Sequence, residues 1–267
     1  MGALPALTCG YAGHGLNQAG LGASWPAVSN FTTRSGEGGR GGRPRRPFLF
    51  RTASGDPADL HAAPLLDPPV ERRVRWCHAT SAAIVVGRGQ PQPDGPGDLP
   101  VVRRVTGGGA VLVSPDGPAW ADLTIPRSDP LWEDDVGQAS WWVGAAWAAA
   151  LADLGVDPGS LDVHHGPMVR RSLGAQVCFA GLANGEVSVG RAKLVGVAQR
   201  RTRIGALFQC AVLLDWDPNP LLDALGLPLD RAVATLAVGL RRLVPGVSVA
   251  EIETAFGRAL EPYVTSI

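Results

Sequence analysis

The clearest alternation of apolar and polar positions lies between residues 119 and 125. There Trp120, Asp122 and Thr124 interleave with Ala121, Leu123 and Ile125, the period of two expected of a strand with unlike faces. Shorter runs rich in β-branched residues predict further strands at Arg72 to Cys77, Ala82 to Val86, Val101 to Arg104, Ala110 to Val113 and Phe208 to Leu214. Glu186 to Val189 and Ala192 to Ala198 predict a hairpin turning at Gly190-Arg191, because a two-residue turn opened by Gly suits the strand twist. Helical spacing appears elsewhere. Val136, Val143, Trp147, Leu151 and Leu154 form a stripe that Asp134 or Asp135 can cap and Gly155 can close. Val233, Leu236, Leu240 and Leu243 share a face within a helix expected over Asp230 to Leu243, and Asp59 to Leu66 reads as a short helix before Pro68-Pro69. Ser248 and Glu251 have capping-box spacing and open a last helix running to Leu260. Hairpin-linked strands flanked by helices imply an α+β, mixed α/β fold with a largely antiparallel sheet.

Composition narrows the possibilities. Residues 1 to 47 are rich in Gly, Ser, Thr and Arg, too poor in apolar side chains to offset their conformational entropy. They are expected to be a disordered leader before one globular domain over 48–267. The formal net charge is zero, so no broad field favours nucleic acid or a membrane surface as partner. The longest apolar run, Ser140 to Leu151, is too short to span a bilayer. Cys9, Cys77, Cys178 and Cys210 are scattered, without metal-ligand spacing, which points to a reduced cytoplasm and no bound metal. His164-His165 falls in a loop and reads as surface or core.

Chemistry concentrates in two stretches. Lys193 is the only lysine among 24 basic residues. An ammonium is a compact point charge that can follow a phosphate or a polarised carbonyl, which the rigid guanidinium fork does less well. On composition alone Lys193 reads equally as a surface lysine. Gly107-Gly108-Gly109, after Arg103-Arg104, can bring backbone N–H groups close to a phosphate or carboxylate; its alternative reading is a plain hairpin turn.

Gly190-Arg191-Ala192-Lys193-Leu194-Val195-Gly196-Val197-Ala198-Gln199 resembles, with one extra residue before the lysine, the Gly-Arg-Lys-x-x-Gly-x-Ala-Gln signature of the lipoate-protein ligase and octanoyltransferase family. Arg103-Arg104-Val105-Thr106-Gly107-Gly108-Gly109-Ala110-Val111 is similar to that family's substrate loop, and the two matches come in the family's order. The resemblance implies a biotin/lipoate ligase-like fold and an enzyme that uses ATP, with Mg²⁺, to convert lipoate or octanoate to an acyl-adenylate. The acyl group then passes to a lysine of a lipoyl-domain carrier, such as the E2 of a 2-oxoacid dehydrogenase or a glycine-cleavage H-like protein. It implies catalysis by Lys193, and substrate and ATP binding by Arg104, Thr106, Gly107, Gly108, Gly109, Ala110 and Gly196. Arg104 would bear on the acyl-phosphate, and Val111, Val195 and Val197 would line an acyl tunnel.

Alternatives remain within the resemblance. Cys178 lies where cysteine-dependent octanoyltransferases keep a nucleophile that carries the acyl group as a thioester without ATP, and it reads equally as a packed structural cysteine. Those transferases typically place Arg at the third loop glycine, where this chain has Gly109. Leu112 to Asp116 lacks the family's His-Asp, and Cys210 stands in place of its histidine. These departures keep open a non-catalytic binder of the same fold. A biotin ligase is weaker, because its Gly-Arg-Gly-Arg loop is absent. About fifty residues follow Asp217, fewer than the accessory domain of larger ligases requires, so either a separate accessory subunit is a further partner or the full ligase reaction is absent.

Overall fold

The computed structural model describes residues 47–93, 98–169, 171 and 173–264. The leader expected over residues 1 to 47 lies, but for Pro47, outside the described residues, as does Cys9. The first strand, β1 (Leu49–Gly55), leads into α1 (Pro57–Ala62), β2 (Arg73–Ala79), β3 (Ala83–Val86), β4 (Val101–Arg103), β5 (Val111–Val113) and β6 (Ala119–Pro126). Then come α2 (Trp141–Asp153), β7 (Leu161–Val163), β8 (Val187–Val189), β9 (Ala192–Arg201), β10 (Gly205–Val212), α3 (Asn219–Ala224), α4 (Arg231–Ala234), α5 (Leu240–Leu243) and α6 (Val249–Ala259). Seven strands form one sheet in the order β1-β2-β6-β10-β9-β8-β7, and β4-β3-β5 form a second. The β1–β2 and β3–β4 pairs are parallel and the others antiparallel. This is the mixed, largely antiparallel α+β fold that the pattern predicts.

The alternation of β6 sorts the two faces of the large sheet. Ala119, Ala121, Leu123 and Ile125 join the core beneath α2 and α6, where Trp147 stacks on Phe256 at 3.8 Å and meets Trp76 edge-on at 6.1 Å. Trp120 faces the other way and packs with Val85, Val111, Val113 and Phe179 between the two sheets. Among the described residues no helix is long and apolar enough to cross a membrane.

Several expected elements shift, each for a local reason. The first helix occupies Pro57–Ala62, not Asp59 to Leu66, because Asp56 accepts a hydrogen bond from the Ala58 amide and Pro57 presets the first turn. The long helix starts at Trp141: Asp135 instead accepts from the Gly137 amide, closing a separate turn, and Val136 is exposed. Its end at Gly155, with φ +101°, is as the sequence indicates. The helix expected over Asp230 to Leu243 is broken into α4 and α5. Gly239 lies so close to Leu214 and Asp215 that a Cβ would come within 2.6 Å of their backbones, and residues 236–238 are drawn out to pair with β9. The Ser248/Glu251 capping box forms as expected.

Candidate functional site

Strands β2, β6 and β10 are neighbours, and their register sets Arg75 opposite Asp122 and Asp122 opposite Gln209. Residues opposite one another on neighbouring strands share a face, so the sheet carries a polar row across its middle. Arg75 donates to Asp122 Oδ2 at 2.5 Å and to the Leu60 carbonyl at 2.7 Å. Asp122 Oδ1 accepts from Trp120 Nε1 at 2.8 Å and from Gln209 Nε2 at 3.1 Å. A buried ion pair is sustained only when such added hydrogen bonds offset several kcal/mol of desolvation. At the far end Thr106 donates to Gln209 Oε1 at 2.7 Å, tying the glycine loop to the row. His61, from α1, stacks on Trp120 at 4.2 Å, with Nδ1 3.4 Å from Gln209 Nε2.

Lys193 lies at the start of β9, as the hairpin reading expects, but it is no surface lysine: it is 1% exposed. Its backbone is clamped from the side by the broken helix, the Lys193 amide donating to the Leu236 carbonyl and the Val238 amide to the Lys193 carbonyl. Nζ pairs with Glu186 Oε2 at 2.7 Å, donates to the Cys178 carbonyl at 2.9 Å, and lies 3.8 Å from Cys178 Sγ and 5.0 Å from the Phe179 ring centroid. Glu186 is held in turn by the Ala183 and Val197 amides. The structure therefore brings Lys193 and Cys178 together.

Arg104 is buried and donates to the carbonyls of Gly107, Gly109 and Val85. Its guanidinium folds the glycine loop around itself, and burial lowers its pKa. Gly109 is required by close approach: a Cβ there would come within 2.7 Å of the Cys178 amide nitrogen and the Val177 carbonyl carbon. Ala110 completes that junction, its amide donating to the Gln176 carbonyl and its carbonyl accepting from the Cys178 amide. At Gly196 a Cβ would meet Phe179, Lys193 and Cys178 at 3.4 to 3.7 Å, so this glycine makes room where the lysine and cysteine meet.

Two cavities lie about Arg104 and the glycine loop. One, of about 50 Å³, is lined largely by apolar groups, including Val85, Val111, Val113, Trp120 and Val197, with Arg104, Cys178, Gly196, His61 and Gln209 among its walls. The other is an open groove of about 860 Å³ bordered by Gly107, Gly108, Gly109, Gln90, Gln176 and Leu227. Val111 and Val197 thus line the apolar cavity as expected, while Val195 belongs to the helix-side core. Cys210 is wholly buried and its thiol is pushed up to about 12 by desolvation, so it stays protonated near neutrality. Among the described residues no group of three His, Cys, Asp or Glu side chains could hold a metal ion.

Glu186, Asp122, Gln209 and His61 were not singled out for a role in the sequence. A carboxylate alternating within an apolar strand, as Asp122 does, is the one signal that could have marked the row. His61 could not be marked, since its partner Gln209 is 148 residues away.

Burial, with Arg104 and Arg75 acting in the same direction and Asp122 opposing, lowers His61 from 6.5 to about 4. The unfolded chain therefore takes up a proton through that window which the folded protein refuses. Stability should fall as pH drops from about 6.5 to about 4, by up to ~3 kcal/mol from this group. Urea midpoints at about pH 7 and about pH 4.5 should separate less in His61→Phe than in the wild type. Equal separations would show that His61 takes up its proton in the fold as readily as out of it.

A model of the lipoyl protein ligase A/B catalytic domain matches residues 73–261. No curated protein matches the chain. Among solved structures the fold is similar to one described as a bipartite lipoate protein ligase and its E2 lipoyl domain from Thermoplasma acidophilum. The TM-score is 0.58 at 18% identity, covering 81% of this chain and 83% of that one. A putative lipoate protein ligase of T. acidophilum with bound lipoic acid gives 0.56 at 18% identity, over 82% and 85% of the two chains. Lipoate-protein ligase A bound with ATP gives 0.55 at 18%, again over 82% and 85%. The two sequence motifs, the fold that joins them and the family match over most of the described residues lead to one assignment: the chain belongs to the lipoyl protein ligase A/B catalytic-domain family.

Proposed function

We propose that this protein is a lipoate-protein ligase that activates lipoate, or octanoate, with ATP and passes the acyl group to a lysine of a carrier lipoyl domain. The observation that carries this reading is a pair of cavities joined by one loop and its arginine: Arg104, which holds the loop carbonyls, lines the apolar one, and Gly107 to Gly109 border the other. The apolar lining of the first cavity suits an acyl chain, which its about 50 Å³ would have to widen to admit whole, and the open groove has the volume for a nucleotide beside the backbone of Gly107 to Gly109. The acyl carboxylate would attack the α-phosphorus where the two meet, and pyrophosphate would leave. The carrier amine would then attack the acyl carbonyl, expelling AMP. Charge builds on the phosphoryl and carbonyl oxygens, and donors aimed there in a dry site contribute several kcal/mol.

Lys193 supplies such a donor. An ammonium has three N–H groups; one meets Glu186, one the Cys178 carbonyl, and the third faces Cys178 Sγ at 3.8 Å, a weak acceptor that an acyl-phosphate oxygen would displace. Arg104 shapes the loop, giving four of its five N–H groups to the carbonyls of Gly107, Gly109 and Val85, and the fifth is available at the cavity wall. Mg²⁺ would arrive with the nucleotide phosphates, a usual mode for this ion. The carriers would be E2 or H-like lipoyl domains, with a separate accessory subunit assisting transfer, and the setting would be cytoplasmic.

The 3.8 Å approach of Lys193 Nζ to Cys178 Sγ favours a second reading, thioester transfer through Cys178. Replacement separates the two. With ATP, lipoate and a lipoyl domain, Cys178→Ser should retain lipoylation of the carrier within about tenfold, as expected when the thiol packs rather than reacts. Loss of all transfer, with an octanoyl adduct on wild-type Cys178 formed without ATP, would replace the ligase with the transferase.

A further inference from the structure

Among the polar side chains in the wall of the apolar cavity, one has a buried atom that its neighbours do not satisfy. His61 is 8% exposed and lines the cavity, and its Nε2 has no hydrogen-bond partner among the described residues. The tautomer follows from its neighbours. Asp122 is paired with Arg75, and a carboxylate so paired only accepts hydrogen bonds. The Gln209 atom facing Asp122 must therefore be its amide nitrogen, and the Gln209 oxygen accordingly accepts from Thr106. The same nitrogen has a second hydrogen directed at His61 Nδ1. Nδ1 is thus the acceptor, and in the neutral ring the proton resides on Nε2. The polar row leaves a buried N–H donor at the cavity wall.

A buried donor costs free energy until something accepts from it. The surrounding Val85, Val111, Val113, Trp120 and Val197 would penalise a strongly hydrated oxygen acceptor. Sulfur is a weak, polarisable acceptor that also packs well on aromatic rings, and the His61–Trp120 stack offers both contacts. We propose that His61 is a specificity-determining residue whose Nε2–H selects a sulfur-bearing acyl chain over a plain hydrocarbon chain of the same length. The proposal rests on the ligase reading above and commits the cavity to the lipoyl rather than the octanoyl class.

Calorimetric titration of the full chain with lipoate and with octanoate tests it, beside His61→Phe, which keeps the ring stack and removes the donor. The wild type should bind lipoate about tenfold more tightly than octanoate, and His61→Phe should bring the two within about twofold, mainly by weakening lipoate. An unchanged ratio in the variant would overturn the assignment, leaving His61 satisfied by water only. Failure of the wild type to bind either acid would overturn the ligase reading itself, and the assignment with it. A second measurement needs no variant to fold. Nitrogen-15 spectra of the wild type should place the His61 proton on Nε2, and its resonance should move downfield with lipoate and not with octanoate. A proton on Nδ1, or equal movement with both acids, would overturn the proposal.

Discussion

Lys193→Met should abolish lipoyl-adenylate formation, by about 10²- to 10³-fold, while lipoate still binds. The same change should cost roughly 3–5 kcal/mol of stability, because it strands the Glu186 carboxylate in a buried site. The two effects can be separated. Adding Glu186→Gln to Lys193→Met removes the stranded charge but leaves one amide oxygen for the two backbone donors of Ala183 and Val197, so urea unfolding should show part of the stability recovered. Adenylation should stay lost. If the double variant regains both, the lysine serves the fold and not the reaction.

Gly109→Ala should be nearly as damaging, through geometry instead of charge. The added methyl would press within 2.7 Å of the backbone at Val177 and Cys178 and split the Ala110 bridge that joins the glycine loop to that segment. Forced overpacking of this kind typically costs ~1–3 kcal/mol, and a misplacement of about 1 Å beside reacting groups can cost 10²-fold in rate. Gly107→Ala is the matched control, since a Cβ there meets nothing within 4 Å. Comparable losses of adenylation in both variants would mean that loop flexibility, not the approach of Gly109 to Cys178, is what the site needs.

The sequence revealed most where one residue type answers to one local requirement. The β6 alternation, the Gly190 turn, the Gly155 stop and the Ser248/Glu251 box are local, and each appears where the pattern puts it. The broken helix at 230–243 was hidden, because its stripe of Val233, Leu236, Leu240 and Leu243 is genuinely helical in spacing. What breaks it is the distant approach of Gly239 to Leu214 and Asp215, together with the pairing of residues 236–238 with β9. β1 and β7 were missed for a related reason. As the two edges of the large sheet they lie half out of the core, and β1 carries mostly exposed side chains, so neither shows an apolar run.

The site divides in the same way. Lys193, Cys178 and the glycine loop could be named from motifs, and the structure brings them together. The burial of Lys193 and its pairing with Glu186 could not, because composition fits an exposed lysine equally well. Nor could the row from Arg75 through Asp122 and Gln209 to His61, which exists only once strand order is known. Arg104 is the instructive case: its position in the loop suggests a ligand contact, and the structure adds what the motif does not carry, that it also holds the loop's Gly107 and Gly109 carbonyls and that of Val85 on β3.

Exchange of radiolabelled pyrophosphate into ATP reports the adenylation step alone, without carrier, accessory subunit or thioester chemistry. Exchange that depends on lipoate, survives Cys178→Ser and disappears in Lys193→Met is the expected result. Lipoate-independent exchange, or none from a protein that binds lipoate and accepts an octanoyl group on Cys178 without ATP, would contradict it.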